Sequence, residues 1–330
     1  MVAPSVLQPK VTVIVFAYNQ EQYIAQAIES ILMQQTDFVY EINILEDCST
    51  DRTRAIVLDF QRRYPDKIRV DLPVQNQNNN KAFATAVCRA QSQYIALLDG
   101  DDYWTSPYKL QKQVDFLDRH PESVTCFHAV HVFYEDGSRP MRISKSQKPV
   151  LTIEDILEGL SIQTGSTMFR RSAVQSFPEW YQTAGIGDWE LHIFLAQHGN
   201  AAYLDTVMSA YRKHRGGIYT SASRISVLKA RVAMYEQIDA YLDFRYHKLI
   251  RSLIGRNYYE LAEEYGKVGD QAEAKKYLTR SLSIAPLNRR LPYRNLLYTA
   301  FRLHAPGLYN LLLNTLADKG RLQIDRATKE

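Results

Sequence analysis

Residues 11–17, VTVIVFA, form an unbroken β-branched and apolar run, the pattern of a strand buried on both faces of a parallel sheet. Directly after it, Ile24, Ala27, Ile28, Ile31 and Leu32 recur at helical spacing between Glu21 and Gln34, and Asn19 stands where an N-cap would start that helix. The unit repeats. The strand EINILE (41–46) passes through Asp47, Cys48, Ser49 and Thr50 into a helix over 51–64, with Ile56, Val57 and Phe60 apolar and Pro65 at its end. A strand near 67–72, a helix near 81–91 and the strand YIALL (94–98) follow. Strands alternating with helices predict right-handed crossovers and a mostly parallel sheet with helices on both faces.

Past Asp102 the rhythm changes to a helix near 107–119, a strand near 123–134 and an irregular polar stretch over 135–149. Thr152 and Asp155 read as a capping pair opening a short helix. Strands are expected at 166–170 and 201–211, flanking a helix at 188–198, and everything beyond about 220 reads as helix. There, Leu261, Ala262, Tyr265, Gly269, Asp270, Ala274, Leu278, Ser281, Leu282 and Pro286 have the spacing of one tetratricopeptide unit. A lone unit of that kind cannot bury its own face, so a docking helix pair is expected. The organisation is then 1–220, made of a regular half at 10–102 and a less regular half at 103–220, followed by an all-helical region at 221–330.

At 330 residues, 45% hydrophobic and 23% charged, the chain has the composition of a globular protein with a sizeable core. A net charge of +4 makes no case for nucleic acid. Residues 245–330 carry 16 Lys and Arg against 8 Asp and Glu, a basic tail suited to an anionic membrane surface or to a solvated helical face. Within it, residues 291–316 combine Leu291, Leu296, Leu297, Phe301, Leu308 and Leu311 with Arg289, Arg290, Arg294 and Arg302 nearby. Peripheral contact with the inner face of a membrane, a homodimer, or packing on the catalytic domain each suits that pattern. Cys48, Cys88 and Cys126 are odd in number and form no CxxC, which excludes a disulfide framework and a zinc knuckle. With no apolar run of membrane-spanning length and no leader pattern, a cytoplasmic protein is expected.

Ligands of an open parallel sheet sit outside the carboxyl ends of its strands. That rule selects Phe16, Ala17, Tyr18 and Asn19, then Glu46, Asp47, Cys48 and Ser49, then Asp99, Gly100, Asp101 and Asp102. Carboxylates converging in such a crevice without a Gly-rich loop suit a phosphate bridged by Mg²⁺ or Mn²⁺, which needs only one or two protein carboxylates. The chain has no GxGxxG after its first strand, no GxxxxGK[ST], no HExxH and no GxSxG.

Five stretches in order, VTVIVFAYN, LEDCSTDRT, YIALLDGDDYW, GIGDWELHIFLAQHG and YRKHRGG, cover about residues 10–220 and together resemble glycosyltransferase family 2. The resemblance implies a GT-A fold, α/β and Rossmann-like, and an inverting transferase that takes a sugar from a nucleotide diphosphate, most often UDP, with Mn²⁺ or Mg²⁺. It places Phe16, Ala17 and Tyr18 around the nucleobase, with Glu46, where the family usually has Asp, as the acidic contact to the base. Lys81 would reach the nucleotide, although QNNNKAFATA lacks the Gly and Asn common in that stretch. Asp99 would meet the ribose or metal and Asp101 the metal, with Asp102 beside them.

The same resemblance puts the catalytic base at Asp188, with Glu190 as the rival; on a helix these two side chains diverge by about 200° and cannot share the task. Asp188 also reads as an N-terminal helix residue favoured by the macrodipole. Trp189 would form part of the sugar or acceptor wall, and Gly165 and Ser166 would lie beneath the acceptor. His214 would be a further metal ligand or hydrogen-bond donor, on a loop closed over the diphosphate by Arg212 and Arg215 with Gly216 and Gly217 as hinge. The acceptor implied is a glycan or lipid-linked glycan of a surface polysaccharide, lipopolysaccharide or glycolipid, and the transferred group a hexosyl or N-acetylhexosaminyl unit. Two other readings stay open: a nucleotidyltransferase, and a non-catalytic partner-binding protein built on a transferase-like domain.

Overall fold

A computed structural model of the chain describes residues 8–76, 80–160, 162–183, 188–214, 216, 223–286, 288, 290 and 293–305. Residues 1–220 and 221–330 form two compact units.

The first unit is an α/β structure around one sheet, as the strand-helix alternation implies. Its strands are β1 (Val11–Ala17), β2 (Tyr40–Glu46), β3 (Ile68–Asp71), β4 (Tyr94–Asp99), β5 (Tyr103–Trp104), β6 (Ser123–Tyr134), β7 (Arg142–Ser144), β8 (Val150–Leu151), β9 (Met168–Arg170) and β10 (Asn200–Lys213). The order is β3-β2-β1-β4-β9-β6-β10-β5, with β7 added to β6 and β8 to β10. The β3-β2-β1-β4 half is parallel throughout. β9 then runs antiparallel to both β4 and β6, and β10 lies parallel to β6. Residues 11–99 therefore carry the parallel sheet of the sequence pattern, and the rest of the sheet is mixed.

β1 lies between β2 and β4, and all its side chains but Phe16 are buried, which is why its sequence is apolar without alternation. Helix α1 (Ile24–Leu32) lays Ile24, Ala27, Ile28 and Ile31 on the sheet, each fully buried. Each large side chain buried in this way contributes about 1.5–3 kcal/mol. α1 starts later than the pattern predicts, and Asn19 is not its cap: the N-cap is Tyr23, which makes no side-chain capping bond. Asn19 instead takes a left-handed backbone (φ 51°), and its side chain accepts from Thr50 N at 2.8 Å. The remaining helices are α2 (Thr53–Arg63), α3 (Lys81–Arg89), α4 (Lys109–Arg119), α5 (Ile153–Leu157), α6 (Glu179–Thr183) and α7 (Asp188–Ala196). Thr152 and Asp155 form the expected capping box on α5. The stretch read as irregular at 135–149 contains β7, too short to show a period.

The second unit contains the helices Arg224–Tyr241, His247–Lys267, Gln271–Ile284 and Tyr293–His304. Gly269 (φ +85°) turns the chain between the middle pair, and Asp270 caps the next helix by accepting from Glu273 N. Leu261, Ala262, Ala274 and Leu278, named above for their spacing, pack in its core, and Tyr265 stacks on Tyr277. Among the described residues no helix is long and apolar enough to cross a membrane. Leu308 and Leu311 of the basic apolar segment lie outside the described residues, as does residue 291.

Candidate active site

The loops after β1 and β2 are stitched together by polar side chains. Asn19 N donates to Ser49 Oγ (3.0 Å), Gln20 N to Thr53 Oγ1 (2.7 Å) and Glu21 N to Asp51 Oδ2 (3.0 Å), while Arg52 N donates back to Glu21 (2.9 Å). These bonds satisfy amides that have no strand partner, so the rim is built before any ligand arrives. Tyr18 projects from it, 45% exposed, whereas Ala17 is buried and Phe16 is half-buried against Phe83 of α3 at 5.5 Å between ring centroids. Lys81 is exposed at the start of α3.

Glu46 has a different place from the one expected. It is fully buried, with Oε1 accepting from Ser49 N (2.7 Å) and Oε2 from Arg54 Nε (2.6 Å). Both oxygens are engaged, so the carboxylate holds the loop after β2 in shape. The sequence reading missed Arg54; its position eight residues on, two helical turns from the strand end, carries no local signal of the contact.

The acidic run sits at the end of β4, where Asp99 pairs with Phe16 of β1. Gly100 follows because nothing larger fits: a Cβ there would stand 2.3 Å from Gln20 Oε1 and 2.8 Å from the Phe16 carbonyl oxygen. Asp101 Oδ2 lies 3.0 Å from His214 Nε2, bringing together two residues 113 positions apart. Asp102 is buried, and its Oδ1 accepts from Arg212 N at 2.8 Å, tying the turn to β10. Burial, then the charges of Asp101 and Asp188, pushes the Asp99 carboxyl up to about 8, against a Thr164 hydrogen bond that lowers it. Burial and the charges of Asp99 and Asp101 likewise raise Asp102 well above the carboxylate range. The charges of Asp99, Asp101, Asp102 and Asp188 thus converge on one crevice.

Asp188 opens α7, with its Oδ1 accepting from Trp189 N at 2.7 Å. Trp189 is half-buried and donates Nε1–H to Ile156 O of α5 (2.8 Å), which fixes the plane of its ring. Glu190 is only 2% exposed, its Oε2 lacks a hydrogen bond, and burial foremost pushes its carboxyl up to about 8. Glu190 is thus turned into the core while Asp188 heads the helix, so the two rivals stand in different environments.

Gly165 and Ser166 are buried in a 3-10 turn beside β4. Gly165 O accepts from Trp104 Nε1 (2.9 Å), and a Cβ on Gly165 would come 4.0 Å from Asp102 Oδ2. The Ser166 hydroxyl donates to Gln163 O (2.7 Å). This pair supports the floor through backbone approach rather than an open side chain.

Arg212 is also placed differently. It lies in β10, and its guanidinium hydrogen-bonds Asp101 O (3.0 Å) and Gln26 Oε1 (2.7 Å) among the rings of Tyr23, Tyr103 and Phe133. It braces the acidic turn from behind and is no part of a loop over a diphosphate. Arg215 and Gly217 lie outside the described residues. Strand alternation puts the residues flanking Arg212 on the opposite face, and Tyr211 there is a neighbour of the acidic turn that sequence reasoning missed. Burial and then the charges of Asp102, Asp99, Asp101 and Asp188 raise its hydroxyl pKa. Continuing the strand to residue 213 and reading its alternation would have found it.

The arrangement suits a hard cation shared with phosphates. No group of three or more His, Cys, Asp or Glu side chains among the described residues is arranged to hold a metal alone. Asp101 and His214, 3.0 Å apart, would supply one carboxylate oxygen and one imidazole nitrogen to such a cation, a donor pair that suits Mn²⁺ better than Mg²⁺.

Residues 12–177 match the model described as "Glycosyl transferase family 2". An uncharacterized protein of Mycobacterium tuberculosis is 34% identical over 280 residues, covering 83% of this chain and 80% of the relative. Among solved structures, residues 1–349 of TarS from Staphylococcus aureus superpose with a TM-score of 0.59 at 19% identity, covering 96% of this chain and 93% of that one. TarS is named a poly(ribitol-phosphate) β-N-acetylglucosaminyltransferase, and the same fragment has been solved with UDP-GlcNAc. A mannosyltransferase of Pyrobaculum calidifontis, solved with GDP-Man and Mn²⁺, superposes with a TM-score of 0.52 at 19% identity over 94% of this chain and 85% of that one. At these identities the structural likenesses show the fold.

Proposed function

The chain belongs to glycosyl transferase family 2, and from that premise we propose that it is an inverting transferase moving a hexosyl or N-acetylhexosaminyl unit from a nucleotide-diphosphate donor, UDP-linked in the first instance, to a hydroxyl of a cell-surface glycan. The observation that carries this reading is the convergence of Asp99, Asp101 and Asp188 in one crevice with His214 held on Asp101. The donor classes bound by TarS and the archaeal mannosyltransferase support a nucleotide sugar with a divalent metal.

Asp101 and His214 would hold the cation, with Asp99 turned to it or to the ribose. When bound, that cation supplies positive charge to the diphosphate as it leaves. Tyr18, Phe16 and Ala17 line the base pocket, on a rim that Glu46 and Arg54 hold in shape, and Lys81 stands at its edge. Asp188 accepts the proton of the acceptor hydroxyl as that oxygen bonds the anomeric carbon and the bond to the diphosphate breaks on the opposite face, so the configuration inverts. Trp189, fixed by Ile156, forms a wall for the sugar over the floor at Gly165 and Ser166. The protein works in the cytoplasm, with the basic C-terminal helices, a tetratricopeptide-like hairpin among them, turned to a membrane surface, the acceptor or a second copy.

A panel of nucleotide sugars with Mn²⁺, read by thermal shift and donor turnover, tests this. Asp188→Asn is expected to lose about 10²–10⁴-fold in turnover while retaining nucleotide binding. No binding of any nucleotide sugar or nucleotide with metal present would overturn the reading.

A further inference from the structure

The face of the sheet that looks onto the carboxylates also carries a strip of cations that the proposed chemistry leaves unused. Tyr211 aligns with Val132 and Lys213 with Tyr134 in the parallel register of β10 and β6, and Arg142 of β7 lies across from Val132. Aligned partners on neighbouring strands share a face, so Tyr211, Lys213, Tyr134 and Arg142 leave the sheet on one side. Arg212 and Phe133, one position off, leave it on the other, where they meet Tyr23 and Tyr103. The side of Tyr211 is the side of the acidic turn: Oγ of Ser209, two positions earlier on the same face of β10, and Asp102 Oδ2 both come to 4.0 Å from a Cβ placed on Gly165. The charges of Asp99, Asp101, Asp102 and Asp188 also reach the Tyr211 hydroxyl.

From Tyr211 outward, rings and cations alternate. The Lys213 ammonium is 5.8 Å from the Tyr211 ring centroid and 5.6 Å from that of Tyr134. The Arg139 guanidinium lies 5.2 Å from the Tyr134 ring and donates to its hydroxyl at 3.3 Å. Spanning three strands, the strip is about 10 Å across, given the ~4.8 Å spacing of paired strands. Among the described residues Lys213, Arg139 and Arg142 have no carboxylate partner. The contrast lies in the same segment, where Lys145 pairs with Asp205 (2.9 Å) and Lys148 with Asp155 (2.5 Å). Glu135, at the root of the hairpin, is occupied by Tyr23 and Arg212.

Unneutralised cations interleaved with tyrosine rings beside an acidic centre suit a ligand that is anionic along its length and presents sugar or polyol faces between its charges. We propose that this strip is the acceptor subsite and that the acceptor is an anionic glycan, carrying phosphate or carboxylate groups along its chain. The proposal rests on the transferase reading. It deepens that reading by giving the acceptor a chemical class: the donor diphosphate is held at Asp101, and Lys213, Arg139 and Arg142 set the register of the chain that attacks it.

The test uses the full chain with three fluorescent probes: an oligo(glycerol phosphate), an oligogalacturonate and neutral maltohexaose. Wild type is expected to bind the oligoanions, more weakly as salt approaches about 0.3 M, and to prefer them at least ~10-fold over maltohexaose. The phosphate and carboxylate arms show which anion is taken. Arg139→Ala with Arg142→Ala, both at exposed positions, is expected to weaken oligoanion binding ~10-fold, and in turnover assays the effect falls on the acceptor's KM. Equal affinity for maltohexaose, or unchanged oligoanion binding in the double variant, overturns the proposal. So does a double variant that loses only its binding to phosphatidylglycerol vesicles, which would mark a membrane contact instead. A chain that turns over donor without preferring oligoanions sinks the acceptor assignment alone. Oligoanion binding in a chain that turns over no nucleotide sugar sinks the transferase reading.

Discussion

Glu190→Gln separates the two carboxyls that open α7. Glu190 is 2% exposed, its Oε2 has no hydrogen bond, and its carboxyl is pushed from 4.5 up to about 8, chiefly by burial. Below about pH 4.5 the folded and unfolded chains both hold this proton. Between 4.5 and 8 the unfolded chain gives it up and the folded chain keeps it, so stability falls as pH rises, by about 1.4 kcal/mol per pH unit. The loss reaches about 3 kcal/mol near pH 7 and at most about 5 kcal/mol above pH 8. Glutamine matches the protonated acid in shape and removes this slope. Melting curves from pH 5 to pH 8.5 should show the variant level with wild type at the acid end and ~10 °C more stable at the alkaline end. Turnover should persist in Glu190→Gln, because the proposal gives the proton transfer to Asp188. Parallel pH–stability curves would refute the burial argument, and a loss of turnover equal to that of Asp188→Asn would return Glu190 to the role of base.

Asp101→Ala removes the partner of His214 and is expected to weaken Mn²⁺-dependent nucleotide binding at least ~10-fold; thermal shifts that keep their full metal dependence would contradict the metal assignment. Gly100→Ala drives a Cβ to 2.8 Å from the Phe16 carbonyl oxygen and should cost about 1–3 kcal/mol in urea unfolding, with an unchanged midpoint as the refuting result. Arg54→Ala strands the buried Glu46 carboxylate and should destabilise the chain by about 3 kcal/mol, with Arg54→Lys restoring part; a change under about 1 kcal/mol would show that the pair holds nothing.

The sequence by itself determined the strands and helices of residues 11–102. There a central strand buried on both faces must be apolar throughout and a helix on the sheet must repeat every three to four residues, so composition and period coincide with position. It also marked out the carboxylates proposed for the chemistry, since Asp99 falls at a strand end, Asp101 in the turn after it and Asp188 at a helix start. Tertiary structure alone decided how those side chains are spent. Glu46 and Arg212 look in sequence like ligands for a base and a diphosphate, and in the fold they are bound by Arg54 and by Asp101 and Gln26. Asp188 and Glu190 are two letters apart and chemically alike, yet one is half-buried at the head of its helix within electrostatic reach of Asp99 and the other is desolvated in the core. The cationic strip is scattered over residues 134–142 and 211–213 until the register of β6, β7 and β10 assembles it. Hydrogen bonds and burial act through space between elements far apart along the chain, and periodicity reports only on neighbours, so partners across the sheet are written nowhere in the local pattern.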